Sequence, residues 1–200
     1  MLVTIETILG FWFGADADDA VVARERAALW WSKNKATDDE IRSRFEDLMR
    51  AAARGELDEM KATARGRLAS IILLDQFPRN ICRETAQSFA YDEKARALAL
   101  EGLERGMDRE LRPIERVFFY LPLEHSETLA HQERSVECFR DLLGAVPPEH
   151  KSTFEEYLDY ARRHRDVIAR FGRFPHRNKL LGRESTPEEI AFLAEPGSSF

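Results

Sequence analysis

Two short strings carry much of the polar chemistry of this chain. Arg79-Asn80 follows Phe77-Pro78, and His176-Arg177-Asn178 follows Phe174-Pro175, so a Phe-Pro stop succeeded by long polar side chains occurs twice. Guanidinium groups bind carboxylate or phosphate through paired hydrogen bonds, and asparagine adds a neutral donor and acceptor. If both Phe-Pro loops lie at one end of the molecule, Arg79, Asn80, His176, Arg177 and Asn178 form a single anion-binding mouth. In the alternative, the arginines satisfy helix-end carbonyls and the asparagines occupy turn positions. His176 is the favoured functional histidine, because Pro175 restrains its loop and Arg173 and Arg177 flank it. Two nearby cations should keep its imidazole neutral near pH 7, able to accept a proton or orient an acid. Its structural alternative is a ring that caps a helix end.

A second constellation is Glu115, Arg116, Glu124 and His125. Charges inside an apolar helix are rarely left unpaired, so Glu115 should be buried against an arginine. Such a pair beside a histidine can hold a ligand or tune a general base, and it can equally be a structural cross-link. These residues make His176, His125 and Glu115 the catalytic candidates. Arg79, Asn80, Arg116, Glu124, Arg173, Arg177 and Asn178 are the ligand-binding candidates. His125 and His131, six positions apart on a helix, would point roughly 120° away from each other, so no metal site is expected. His164 reads as a hydrogen-bonded core histidine. No Gly-x-Ser-x-Gly elbow or Gly-rich phosphate loop is present, and no cofactor is indicated.

These groups need a frame, and the stretch Leu68 to Leu74 supplies its centre. It is apolar on every side except at Ser70, and a helix with no polar face must lie inside the protein. Phe77-Pro78 is expected to end it. A first helix should carry Ile5, Ile8, Leu9 and Trp12 inward from a cap at Thr4. The box Thr37-Asp38-Asp39-Glu40 should open another, with Ile41, Phe45, Leu48 and Ala52 inward. Thr85 should start a helix running to about Gly106, its face made by Phe89, Ala90, Ala97, Leu98, Leu100 and Leu103. Pro113 fits the first turn of the next, which Pro122 should kink or end. Leu129, Val136, Phe139 and Leu143 line one further helix, and Phe154, Leu158, Ala161, Ile168 and Phe171 another. Thr186-Pro187-Glu188-Glu189 is a strong start for the last. Phe11, Trp12, Trp30 and Trp31 suit either a pocket wall or the core.

No useful β alternation appears, so the expected fold is all-α. Residues 1–200 should form a single domain of about eight to ten helices in hairpins, packed like helical repeats but without a strict repeat period. The net charge of −6, with acidic and basic residues interspersed, disfavours nucleic acid as the main partner. No uncharged run approaches the roughly 20 residues of a membrane span, and the N-terminus lacks the basic region of a signal peptide. Two cysteines without a zinc or redox spacing fit a reducing cytoplasm.

Four strings resemble a known family: Asp75-Gln76-Phe77-Pro78-Arg79-Asn80, Arg112-Pro113-Ile114-Glu115-Arg116, Leu121-Pro122-Leu123-Glu124-His125-Ser126 and Arg173-Phe174-Pro175-His176-Arg177-Asn178. Gly182-Arg183-Glu184-Ser185-Thr186-Pro187-Glu188-Glu189 extends the likeness over nearly the whole chain. The family is the bacterial domain of unknown function numbered 924. The resemblance implies an all-helical, tetratricopeptide-like fold in a soluble protein, and no established reaction. Thr63-Ala64 stands where the family pattern would have Thr-Pro, which should blunt the start of the central helix. The leading functional expectation is a site that binds, and could transform, an anionic small molecule. The competing one is a helical interaction module that grips an acidic peptide or chain terminus in a groove.

Overall fold

The computed structural model describes residues 2–198, with side chains from Thr4 onward. Among these residues ten α-helices succeed one another without a strand: α1 (Leu2–Phe13), α2 (Asp19–Trp31), α3 (Lys35–Ala53), α4 (Ala64–Ile71), α5 (Phe77–Ile81), α6 (Asp92–Glu104), α7 (Pro113–Glu124), α8 (Leu129–Ala145), α9 (Lys151–Phe171) and α10 (Pro187–Leu193). The fold is all-α, and α4 is its centre, in contact with α1, α6 and α7. Leu68, Ala69, Ile71, Ile72 and Leu73 have no exposed surface. Thr63 caps α4 by accepting the Gly66 amide at 3.2 Å, so the helix starts sharply even with alanine at position 64. Gly66 is required there, because a Cβ would lie 2.0 Å from the Met60 carbonyl oxygen.

The central helix does not end at Phe77-Pro78. Residues Ile72–Gln76 form a π turn, in which the Phe77 amide donates to the Ile72 carbonyl, and the helical path continues as α5. A π turn leaves a carbonyl without an amide partner, and Pro78, which has no N–H, occupies the first turn after it where none is needed. Pro122 likewise stays inside α7, which runs on to Glu124. Other boundaries also differ from expectation. The α3 helix is capped by Asn34, which accepts the amides of Ala36 and Thr37, so it opens before the Thr37 box. Thr85 opens only the short 3-10 turn Ala86–Phe89, and α6 waits until Asp92.

The inward face of α6 is Ala95, Leu98, Ala99 and Gly102, not the larger stripe the apolar residues suggested. Small residues are demanded because Phe119 and the buried Arg67 press against this helix; a Cβ on Gly102 would sit 2.4 Å from Phe119 Cζ. Trp12 and Trp30 are buried with Phe118, and the Trp30 indole donates to the Trp12 carbonyl at 3.0 Å. These rings belong to the core, although Trp31 is half exposed. The hairpin of α8 and α9 closes the other side. Its seam mixes Val136, Phe139, Leu142, Phe154, Leu158 and Ala161 with the polar Gln132, Ser135 and His164. Past Gly172, in the left-handed conformation at φ +68°, the chain turns back. There Phe174 joins Val167, Ile168, Phe171 and Phe192 in a small satellite core.

Candidate functional site

The π turn aims Asp75 into the protein, where it has no exposed surface. One carboxylate oxygen, Oδ1, lies 2.8 Å from His125 Nδ1, and Gln76 Nε2 donates to Oδ2 at 2.6 Å. Arg79 donates to the Asp75 carbonyl at 2.6 Å and stands 3.5 Å from the carboxylate. Burial, the largest single influence, pushes this carboxyl up; Arg79, His125 and Gln76 together outweigh it and hold Asp75 well below the usual carboxylate range. Burial and then Arg79 lower His125, leaving its ring neutral around pH 7. With Asp75 ionised, His125 donates through Nδ1–H, and the lone pair sits on Nε2.

The two Phe-Pro strings meet at Asp92, in the first turn of α6. Arg79 grips its carboxylate with both terminal nitrogens, at 2.9 and 3.0 Å. Arg177 reaches the same carboxylate from the other string, at 3.5 Å. Arg177 is 7% exposed and lies between two rings, 4.6 Å from the Phe89 centroid and 4.5 Å from that of Phe174. Its Nε has no hydrogen-bond partner among the described residues. Burial, then the repulsion of Arg79, lowers this guanidinium to about 10. Such a shift marks a cation poorly compensated for the water it has lost.

Three titratable groups that feel these charges are held neutral at pH 7. Glu124 ends α7 and is raised to about 8 by burial and by the charge of Asp75. Its Oε1 is 3.3 Å from His164 Nδ1, while Oε2 has no partner among the described residues. His164 donates through Nδ1 to the Tyr160 carbonyl at 2.9 Å, and burial lowers it to about 3. His176 is lowered to about 4, by burial first and Arg177 second. The neutrality expected of His176 is present, but Arg173 is not its cause. Arg173 faces away, donating to both carboxylate oxygens of Glu189 at 2.7 and 2.8 Å.

Arg79, Arg177, Glu124, His125 and His176 are thus brought into one neighbourhood, and five other candidates are not. Asn80 donates to Asp38, which also takes both nitrogens of an Arg83 fork. Glu115 is buried as expected, but it serves α7 itself, accepting the Arg112 amide at 3.0 Å and pairing with Arg65 at 2.8 Å. Nine helical steps take the chain from it to Glu124, a rise of about 13 Å, so it stands apart from the site. Arg116 donates to the Tyr120 hydroxyl near Asp108. Asn178 is held by Ser185, Glu189 and Arg183. Arg173, Asn178, Thr186 and Glu189 form a C-terminal brace, which a second pair, Glu127 and Arg183, ties to the end of α7. No cluster of three or more His, Cys, Asp or Glu side chains that could hold a metal ion occurs among the described residues.

Asp75 and Asp92 belong to this neighbourhood although neither stood among the expected site residues. Asp75 directly precedes the first Phe-Pro string, and an acid there beside Arg79 was the available signal. Asp92 reads as an ordinary acidic helix start, and nothing in its neighbours reveals two arginines arriving from distant parts of the chain.

The fold has a solved relative. A protein of unknown function from Agrobacterium tumefaciens is 41% identical, with a TM-score of 0.75, over 88% of this chain and 99% of that one. No functionally curated protein matches the sequence. The family described as bacterial protein of unknown function, DUF924, matches residues 8–197, and the chain belongs to it.

Proposed function

We propose that the neighbourhood of Arg177 binds a small anionic molecule, a carboxylate or a phosphate. One observation carries this reading: a guanidinium buried between two aromatic rings has an unsatisfied Nε among the described residues and only a 3.5 Å contact with an acid already held by Arg79. A buried cation of this kind gains more from an arriving anion than any exposed arginine would, because the desolvation cost has been met in folding. Side-chain exposure is 21% at Arg79, 14% at His125 and 8% at Arg177, so the cluster borders solvent at Arg79 and is most buried at Arg177.

A groove elsewhere, about 300 Å³ in volume and lined by Ala52, Ala53, Leu74 and Lys94, is the weaker candidate. Its cations are committed: Arg54 to Glu56, Lys61 to Asp58 and Lys94 to the Ala53 carbonyl. No helix among the described residues is long and apolar enough to cross a membrane. Two free cysteines fit a cytoplasmic setting.

A thermal-shift screen of phosphorylated and carboxylated metabolites tests the reading. A ligand present at a hundred times its Kd should stabilise the fold by about 2.7 kcal/mol. Arg177→Met should remove that shift. A screen in which no anion raises the melting temperature would count against the site and favour the interaction-module reading.

A further inference from the structure

Anion binding accounts for Arg177 and leaves two of its neighbours unexplained. Glu124 has a carboxyl oxygen, Oε2, that is buried and meets no partner among the described residues. Its other oxygen faces the N–H of His164, which is already donated to the Tyr160 carbonyl. That leaves Oε2 as the place for a proton, offered to whatever occupies the site. Burial and the charge of Asp75 keep that proton in place through neutral pH. His125 is the complement. Its Nδ1–H is fixed on Asp75, whose second oxygen is held by Gln76, so the ring is oriented with its lone pair on Nε2. A carboxylate–imidazole pair of this kind makes a competent general base, because the imidazolium formed on proton uptake is stabilised at once.

We infer, resting on the anion-binding reading, that the site is an acid–base centre for a short oxo-carboxylate, with His125 as the base and Glu124 as the acid. Each part of the ligand answers one group. The carboxylate meets the under-satisfied Arg177, and the ketone oxygen accepts from Glu124 Oε2–H. The carbon beside the ketone, acidified by it, presents its C–H to His125 Nε2. In the step, the C–H bond breaks, its proton goes to Nε2, and its electron pair forms the C=C bond of an enol. The carbonyl π pair moves to oxygen, which takes the proton of Glu124. The enzyme is left with a His125 imidazolium against Asp75 and an ionised Glu124. No oxidant or second reactant is consumed, and the reverse step restores both groups. Asp75 acts as a positioning residue, since it touches His125 and not the ligand.

The test uses pyruvate with the full chain in D₂O, monitoring loss of the methyl proton signal by NMR, with binding read separately by saturation transfer. Wild type should exchange the methyl protons at least about 100-fold faster than buffer, the scale of one well-placed acid or base. Glu124→Gln and His125→Gln, both close in shape to the native residues, should keep the saturation-transfer signal and lose most of the exchange. Arg177→Met should lose both signals, and melting curves should show all three variants folded. Pyruvate that binds through Arg177 without exchanging would overturn the acid–base proposal and leave the anion reading standing. Binding of inorganic phosphate or acetate, but not pyruvate, through Arg177 would overturn the oxo-carboxylate assignment. No Arg177-dependent binding of any of these anions would overturn both. A ligand-free measurement adds a separate check: at pH 7 the infrared spectrum should contain the carbonyl stretch of a protonated carboxylic acid that Glu124→Gln removes. Its absence from wild type would also overturn the proposed acid.

Discussion

His125 Nδ1 lies 2.8 Å from Asp75 Oδ1, joining the end of α7 to the π turn of the central helix. The contact depends on that turn. A residue in a regular helix keeps the register of the residues before it, whereas a π turn inserts one extra residue and rotates the later side chains onto a new face. The register change comes within Ile72–Gln76, the segment that carries Asp75 and leads into Arg79 and Asn80. Irregular helix turns of this sort occur often at functional sites, and here one supplies a buried acid with a histidine partner.

Close packing against the central helix sets the first prediction. Gly102→Ala adds a helix-favouring residue, worth about 1 kcal/mol in an exposed helix. Its Cβ would meet Phe119 Cζ at 2.4 Å and Arg67 Cδ at 2.8 Å. Overpacking typically costs about 1–3 kcal/mol, so the clash should win and the variant should be less stable by about 1–2 kcal/mol. A urea melt showing equal or greater stability would mean that Phe119 can move aside.

How far the sequence could be read depended on what kind of signal each element carries. The apolar run Leu68 to Leu74 declared a buried centre because hydrophobicity is local. The Thr186 capping box was legible for the same reason, and the Thr186 hydroxyl does accept the Glu189 amide at 3.2 Å. The seam of α8 and α9 was harder, since Gln132, Ser135 and His164 are buried polar residues that imitate a solvent face. Arg67 misleads in the same way: it is 2% exposed, donating to the Leu98 carbonyl and to Glu101. At the site, Arg79 and Arg177 could be picked out by the repeated Phe-Pro context. Their meeting on Asp92 could not, because it is a tertiary event with no local trace.

Glu115 provides a second prediction. It accepts the Arg112 amide and pairs with Arg65, whose side chain is 44% exposed. Glu115→Ala therefore loses a helix cap, worth about 1 kcal/mol, and an ion pair whose arginine can turn to water, worth up to about 1 kcal/mol. A destabilisation of about 1–2 kcal/mol in a denaturant melt is expected, with the Arg177-dependent anion shift unchanged. A change in that shift would draw Glu115 back into the site.

The tie between Glu127 and the C-terminal brace gives the third. Glu127 takes both terminal nitrogens of Arg183, at 2.7 and 2.9 Å, and also the Phe174 amide at 2.8 Å. A bidentate pair with both partners partly buried should show a coupling of about 1 kcal/mol in a double-mutant cycle with Glu127→Gln and Arg183→Met. Since Phe174 carries the string that holds Arg177, Glu127→Gln should also speed proteolytic cleavage between residues 172 and 186. A cleavage rate equal to wild type would show that the satellite core alone keeps the segment closed.

The last prediction concerns pH, because the site buries groups that shift in opposite senses. His164 and His176 are lowered to about 3 and about 4, from a value of 6.5. Each therefore contributes stability that is complete above pH 6.5 and is lost as pH falls toward its folded value. His125 and His131 are lowered as well and act in the same sense. Glu124 is raised from 4.5 to about 8, so its contribution is complete below pH 4.5 and is lost as pH rises through 8. Between about pH 4.5 and 5.5 the unfolded chain binds nearly two protons on His164 and His176 that the folded chain largely refuses, while the folded chain keeps one on Glu124. The net is about one proton in favour of the unfolded state, so stability should rise with pH by about 1.4 kcal/mol per unit there, the slope flattening toward pH 6.5 as the unfolded histidines become half protonated. Above pH 6.5 the Glu124 proton outweighs what remains on the unfolded histidines, and stability should fall by up to about 1 kcal/mol by pH 8. A melting-temperature profile should thus peak near pH 6.5. In Glu124→Gln the acid limb should steepen, since the opposing proton is gone, and the decline from pH 6.5 to 8 should disappear. A difference between the wild-type and Glu124→Gln profiles that is flat from pH 6.5 to 8 would show that Glu124 is ionised in the folded protein, and with it the proposed acid would be lost.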